Sequence, residues 1–388
     1  MIEGSLSAGV EGDVAEGFEP VAEELGRLTA DFPSYSAQFC AYLDGRPVVD
    51  IWAGPDASAD RIQGVFSATK GMAGICIAVL VERGQLDLDA PMTRYWPEFA
   101  QGGKGEITVR TALSHQAGLI GVEPQVGLDV LLDHPEMARR VAAQTPFWRP
   151  GNGVGYHALT IGTLVDELVR RITGTPVAEF FAHEITGPRG IDAFIAVPEA
   201  EESRLDDVLP AYPDGIEQPA NPMMTPGEEQ SLTGVAFNAA AQDPFNPPIS
   251  NIRATRAAGQ AAVGGAANAR GLARLYAGLT QSVDGHRPLL SESTVAAVSQ
   301  LQVAGTDLVL GLPTRFAIVF QKSDQRLAYG SHRAFGHDGA GGGFGINDPA
   351  YDLAFGYVPR RMSDPGGADA RGLALAATVR RIVAASHS

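Results

Sequence analysis

The chain has 388 residues, 45% of them apolar and 19% charged, which is enough to bury a large core in two structural regions and argues against general disorder. Its formal net charge is −16, and its arginines are scattered or paired rather than clustered, which argues against a nucleic-acid or anionic-membrane surface and favours small-molecule chemistry. Met1–Phe18 lacks the basic and apolar stretches of a secretory leader, and the longest apolar run, Met72–Val81, ends at Glu82-Arg83-Gly84, too short to span a bilayer. Cys40 and Cys76 are the only cysteines, so a cytoplasmic protein without a disulfide framework is expected.

The first clear elements are two strands, Ser36–Leu43 and Pro47–Trp52, joined by the hairpin signal Asp44-Gly45. A turn-rich loop over 54–60 follows. Helical periodicity then predominates, over 67–83, 109–113, 129–144, 159–173, 177–184, 269–279 and 291–300. A long stretch rich in Pro, Asn and Gly, 211–265, reads as irregular, and loops of that length either cover a site or meander over the surface. Strand patterns return at Arg315–Phe320, Ala334–His337, Gly343–Asn347 and Leu353–Pro359. A last helix over 370–385 is expected to offer Leu373, Ala377 and Ile382 to a sheet. The order implies an α/β fold in which 1–65 and 304–388 form one α/β domain and 66–303 a mainly helical domain.

Three short motifs carry chemistry. Ser67-Ala-Thr-Lys70 puts one of only three lysines almost one helical turn after a serine, so on a helix the amine stands beside the hydroxyl. The small and apolar residues 71–80 imply burial, which would push the lysine pKa down towards that of a useful base. The glycine-rich run Pro150–Gly155 delivers Tyr156 just before an amphipathic helix. The third motif, Gly336-His337-Asp338-Gly339-Ala340, ends a strand in residues small enough for a substrate to lie against the backbone.

Taken in that order, Ser-x-x-Lys, Tyr and a strand-borne His-x-Gly resemble the serine β-lactamase and penicillin-binding-protein superfamily, and most of all its class C-like branch of family VIII carboxylesterases. Leu113–Leu119, Trp148–Gly151, Gly155–Leu159 and Ala269–Tyr276 extend the likeness over nearly the whole chain. The resemblance implies a β-lactamase/transpeptidase-like fold, an antiparallel sheet flanked by helices plus an all-helical domain, with the active site between them. It implies Ser67 as acylated nucleophile, Lys70 as its base and Tyr156 as proton relay. It also implies backbone N–H groups of Ser67 and Ala340 as the oxyanion hole, and His337, Asp338 and Gly339 as substrate-binding residues. A phenolate at Tyr156 would need positive charge beside it, and Lys70 is the obvious source. Where lactamases of this type have Tyr-x-Asn and Lys-Thr-Gly, this chain has Tyr156-His157-Ala158 and His337-Asp338-Gly339. Both changes weaken β-lactam recognition and leave acyl transfer intact.

The expected activity is therefore hydrolysis of short-chain esters, including aryl esters, with a β-lactamase or D,D-peptidase-like amide hydrolase, or an acyltransferase on the same residues, as alternatives. Gly-x-Ser-x-Gly occurs nowhere, which removes the α/β-hydrolase reading. Ser114-His115 reads as a structural segment, because adjacent residues rarely face each other. The histidines and cysteines show no metal-ligand spacing, and neither a cofactor nor a metal is expected. The expected partner is a small-molecule ester alone; the sequence leaves oligomeric state open.

Overall fold

The computed structural model describes residues 6–211, 230–240, 247–364 and 366–386. Strand β1 (Val10–Val14) and helix α1 (Glu19–Asp31) come first, then the hairpin of β2 (Ala37–Leu43) and β3 (Arg46–Ala53). Asp44 and Gly45 both have positive φ, 50° and 74°, the pair of left-handed residues that a two-residue hairpin turn of the required twist demands. Helices α2 (Ala68–Glu82), α3 (Thr160–Thr173) and α4 (Ala269–Thr280) mark the middle of the chain. The last part supplies β4 (Val303–Thr306), β5 (Pro313–Phe316), β6 (Gln321–Lys322), β7 (Phe335–Asp338), β8 (Phe344–Asp348), β9 (Leu353–Pro359) and α5 (Ala370–Ser386).

These strands make one antiparallel sheet in the order β1-β3-β2-β9-β8-β7-β6-β5-β4, and the two ends of the chain meet where β2 pairs with β9, Ala37 opposite Pro359 and Leu43 opposite Leu353. One face is covered by α1 and α5, whose Val21, Leu25, Leu375 and Val379 share a core with Phe39, Ile51 and Phe355 of the sheet. Against the other face lie α4, which crosses β2, β9 and β8, and α2, which packs on β7. Helix α2 is buried on every side from Ala68 to Leu80, which explains its continuous run of small and apolar residues. Gly71 lets it approach the sheet: a Cβ there would stand 2.1 Å from the Tyr276 hydroxyl oxygen and 3.1 Å from His337 Cβ.

The structure departs from the sequence expectations at identifiable points. The helix expected over 129–144 is two, Leu128–Leu131 and His134–Ala143, because Asp133 caps the second by accepting the Glu136 amide at 3.0 Å and Pro135 sits in its first turn. The strand expected over 315–320 ends at Phe316; Val319, at φ 65°, turns the chain away before β6. Helix α5 turns Leu375, Ala376, Val379 and Val383 inward while Leu373 and Ile382 are only partly buried, a rotation that an alanine-rich helix leaves undecided in the sequence. Strands β1 and β4 and helix α1 had no sequence expectation. A second sheet of Ala193–Phe194, Ala266–Ala267, Ile62–Gly64 and Leu205–Asp206 lies within and beside the stretch expected to be helical, and α4, from the same stretch, packs on the large sheet.

The expected irregular segment 211–265 falls partly outside the described residues; within them it forms the short helices Leu232–Ala236 and Arg253–Ala258. All three lysines are buried, Lys70 and Lys104 completely and Lys322 to within 6%. Among the described residues no helix is long and apolar enough to cross a membrane.

Candidate active site

The site forms where α2 starts against the end of β7. Ile62–Gly64 lead from the small sheet into Val65, Phe66 and Ser67, and Val65 is pinned there by its amide on the Gly265 carbonyl at 3.0 Å. Phe66 has φ 47°, a left-handed conformation that costs a bulky residue free energy, and it aims the next residue out of the turn. Ser67 occupies the N-cap position of α2, with φ −65° and ψ −11°. Its side chain caps no helix amide and is left for other partners.

Lys70 follows on the first turn, fully buried. Its Nζ lies 2.9 Å from Ser67 Oγ and 3.0 Å from the Ala262 carbonyl oxygen. Burial pushes the amine well below the usual lysine range, with only the charge of Asp338 opposing. A neutral amine keeps a lone pair for the Ser67 proton while still donating to Ala262.

Tyr156 comes from the loop before α3. Its ring stacks on Phe316 at 6.0 Å between centroids, and Lys70 Nζ stands 4.9 Å from its centre. Burial raises the phenol well above its ordinary value; Ser67 beside it works in the other direction, and the charges of Asp338 and Asp307 add to the rise. Burial thus favours the protonated phenol and the neutral amine, and works against the positive charge that a phenolate at Tyr156 would need beside it.

The tyrosine's loop is held by His115, from the segment read as structural in the sequence, and by Asp307, which carries no sequence signature. His115, at φ 63°, accepts the Gly155 amide on its carbonyl at 3.0 Å and the His157 amide on Nδ1 at 3.0 Å. Asp307 takes the Tyr156 amide on Oδ1 at 3.0 Å, together with those of Val309 and Leu310 at 2.9 Å each. His157 turns away from the cleft, bonding the Gly155 carbonyl and the Leu119 amide, and Ser114 Oγ donates to the Arg110 carbonyl at 2.7 Å. Ser114-His115 is accordingly scaffold. Phe237 stands 6.4 Å from the Tyr156 ring, which places the described part of the 211–265 stretch at this wall.

The third motif meets Ser67 through its glycines. A Cβ on Gly339 would lie 2.1 Å from the Val65 carbonyl oxygen, and one on Gly341 3.0 Å from the Phe66 ring, so the turn after β7 rests directly on the residues before the serine. Among the described residues the amides of Ser67 and Ala340 donate to no protein acceptor. His337 is fully buried; its Nδ1 faces the Asp338 carbonyl at 2.7 Å, which fixes the proton there, and Nε2 has no partner among the described residues. Burial lowers its pKa to about 4, so the ring is uncharged near neutrality. Asp338 does not join the group: its carboxylate accepts from Gln321 Nε2 at 2.8 Å and the Ala368 amide at 2.7 Å.

A serine hydroxyl against a buried amine, a buried phenol, and the amides of Ser67 at the start of α2 and of Ala340 after β7 together fit the β-lactamase/transpeptidase-like class of fold. The family model described as Beta-lactamase matches residues 27–379, and the chain belongs to that family. It is 34% identical over 346 residues to Esterase/beta-lactamase LipL of Mycobacterium tuberculosis, covering 84% of this chain and 76% of that protein. The structure of EstA from Arthrobacter nitroguajacolicus Rue61a is similar at 42% identity with a TM-score of 0.89, over 97% of this chain and 99% of that one. A crystal structure of a family VIII carboxylesterase is similar at 30% identity with a TM-score of 0.86, over 96% and 99% of the two chains.

Proposed function

We propose that this member of the family is a serine carboxylesterase that cleaves short-chain esters through an acyl-enzyme on Ser67. The observation that carries the proposal is the 2.9 Å contact of a fully buried Lys70 amine with the Ser67 hydroxyl. As Oγ attacks the ester carbonyl, its proton passes to Nζ and the carbonyl oxygen takes up the negative charge between the amides of Ser67 and Ala340. The amide of Ser67 sits at the positive end of α2, which favours that charge further. When the C–O bond breaks, Tyr156 gives its proton to the departing alkoxide and recovers one from Lys70, so the amine is neutral again. Water then repeats the sequence on the acyl carbonyl, losing its proton to the same pair and releasing the carboxylic acid and Ser67.

The walls favour neutral esters. Ala158 offers no amide to a lactam side chain, and the uncharged His337 offers no cation to a substrate carboxylate. Two relatives carry "esterase" in their names, LipL and Esterase EstB of Burkholderia gladioli, the latter 30% identical over 229 residues, 53% of this chain and 56% of that protein.

Intact-mass analysis after exposure to a p-nitrophenyl phosphonate tests the reading. One adduct is expected on wild type and none on Ser67→Ala, alongside faster turnover of p-nitrophenyl acetate than of nitrocefin. An adduct that persists in Ser67→Ala removes the nucleophile assignment, and preference for nitrocefin removes the ester assignment.

A further inference from the structure

The turn that presents Ala340 is held from behind by a carboxylate. Strand β7 alternates, so His337 faces α2 while Asp338 faces the segment that enters α5. Asp338 is 5% exposed, and each oxygen accepts one N–H: Oδ1 that of Gln321 Nε2 at 2.8 Å, Oδ2 that of the Ala368 amide at 2.7 Å. The guanidinium of Arg326 stands beyond, 3.7 Å from Oδ2.

Gln321 cannot turn over to suit a different residue. Its Oε1 already accepts the Asp338 amide at 3.0 Å and the Tyr329 hydroxyl at 2.8 Å, so its NH2 end must point at Oδ1. Both oxygens at position 338 therefore meet donors. An asparagine there would set NH2 against NH2 or against an amide N–H.

The same segment holds the far end of the turn. The Asp369 amide donates to the Gly342 carbonyl at 3.0 Å, and within the turn Gly339 donates to Gly343 at 2.9 Å and Gly342 to Gly339 at 2.8 Å. Two consecutive amides, Ala368 and Asp369, thus clamp both ends of the 338–342 turn. Its other side is pressed by Gly339 and Gly341 against Val65 and Phe66. Ala340, at the apex, has nowhere else to go.

We propose that Asp338 is a positioning residue that fixes where the Ala340 amide stands relative to Ser67, acting through Gln321 and Ala368 without touching substrate. It rests on the acyl-enzyme reading, because the amide matters only where charge develops on the carbonyl oxygen. Losing an oxyanion donor costs about two to three orders of magnitude in rate, and displacing one costs part of that.

The test is a donor–acceptor swap. Asp338→Asn should lower kcat for p-nitrophenyl acetate by about 10- to 100-fold with KM within about threefold, and slow phosphonate labelling of Ser67 in parallel. Adding Gln321→Glu restores a donor facing an acceptor with the charge moved to the neighbouring residue, and should return most of the lost kcat. Tyr329→Phe, which removes one of the two donors that hold Gln321 Oε1, is a milder variant and should lower kcat a few-fold at unchanged KM, so a poorly folding Asp338→Asn leaves the proposal testable. Asp338→Asn with wild-type kcat, a loss confined to KM, a double variant no better than the single one, or Tyr329→Phe with wild-type kcat would each overturn it. If wild type is labelled elsewhere than Ser67, the acyl-enzyme reading falls and this inference with it; if labelling is on Ser67 and the swap fails, only the inference falls.

Discussion

Lys70 and Lys104 are both completely buried, yet their surroundings give them opposite properties. Lys104 Nζ donates to three backbone carbonyls, those of Gln101, Ala142 and Gln144, at 2.6, 2.9 and 2.5 Å, tying the end of the His134–Ala143 helix to the Pro97–Gly103 turn. Every proton of an ammonium has an acceptor there, and burial lowers its pKa only to about 8. Lys70 has one fixed carbonyl and one hydroxyl. There burial holds the amine well below its usual range, next to the hydroxyl it deprotonates in the proposed mechanism. Burial lowers both pKa values; three carbonyls hold Lys104 as a structural link, whereas Lys70 stands against the Ser67 hydroxyl.

Methionine at each position separates the two most sharply. Lys70→Met should lower kcat for p-nitrophenyl acetate by about two to four orders of magnitude without lowering Tm, because it removes a proton acceptor and an unfavourably buried amine together. Lys104→Met should do the reverse: kcat within about twofold of wild type, and a Tm lower by several degrees as three carbonyls lose their donor, at roughly 1–3 kcal/mol for each left unsatisfied. Steady-state kinetics and thermal melts on both variants check the pair, and a Lys104→Met enzyme with crippled turnover would break the contrast.

A smaller effect lies in the pH dependence of the rate. Protonating Lys70 removes the proposed base, so the acid-side fall of kcat/KM should come at a pH well below the ordinary lysine pKa, which a pH–rate profile checks. The smallest concerns stability. Lys104 has a folded pKa of about 8 against an ordinary 10.5, so between those values the unfolded chain binds more protons and the contribution of Lys104 to stability rises with pH. Below pH 8 the cost of burying its charge is fully present. Urea melts at pH 8 and 10 should show a smaller gain for Lys104→Met than for wild type.

The sequence carries Ser67, Lys70 and Tyr156 more clearly than the residues that support them. Ser67, Lys70 and Tyr156 lie in short runs whose residue types are unusual together, and the structure brings them within contact. Gly339 and Ala340 were legible as a place where backbone could approach, and the reason is the Val65 carbonyl oxygen beside the glycine. Asp307, Gln321 and Ala262 were not legible, since each acts by bonding to the backbone of, or side chain from, a distant segment, and no local pattern records such a partner. For Asp338 the motif is legible but the direction of its carboxylate is not, because strand alternation turns it to the face opposite His337. Strand β1 is not legible because the polar and glycine-rich character of Glu3–Glu16 masks a strand whose hold is its pairing with β3.

The burial of all three lysines also governs how the protein can be handled chemically. Succinimidyl esters, glutaraldehyde and reductive methylation depend on accessible ammonium groups, and no lysine side chain offers one at the surface. Reagents of that kind should leave the lysines in place while the protein is folded and modify them once it unfolds, which makes lysine labelling a sensitive reporter of unfolding. Attachment to a solid support is better directed at carboxylates, which the 45 acidic residues supply in excess.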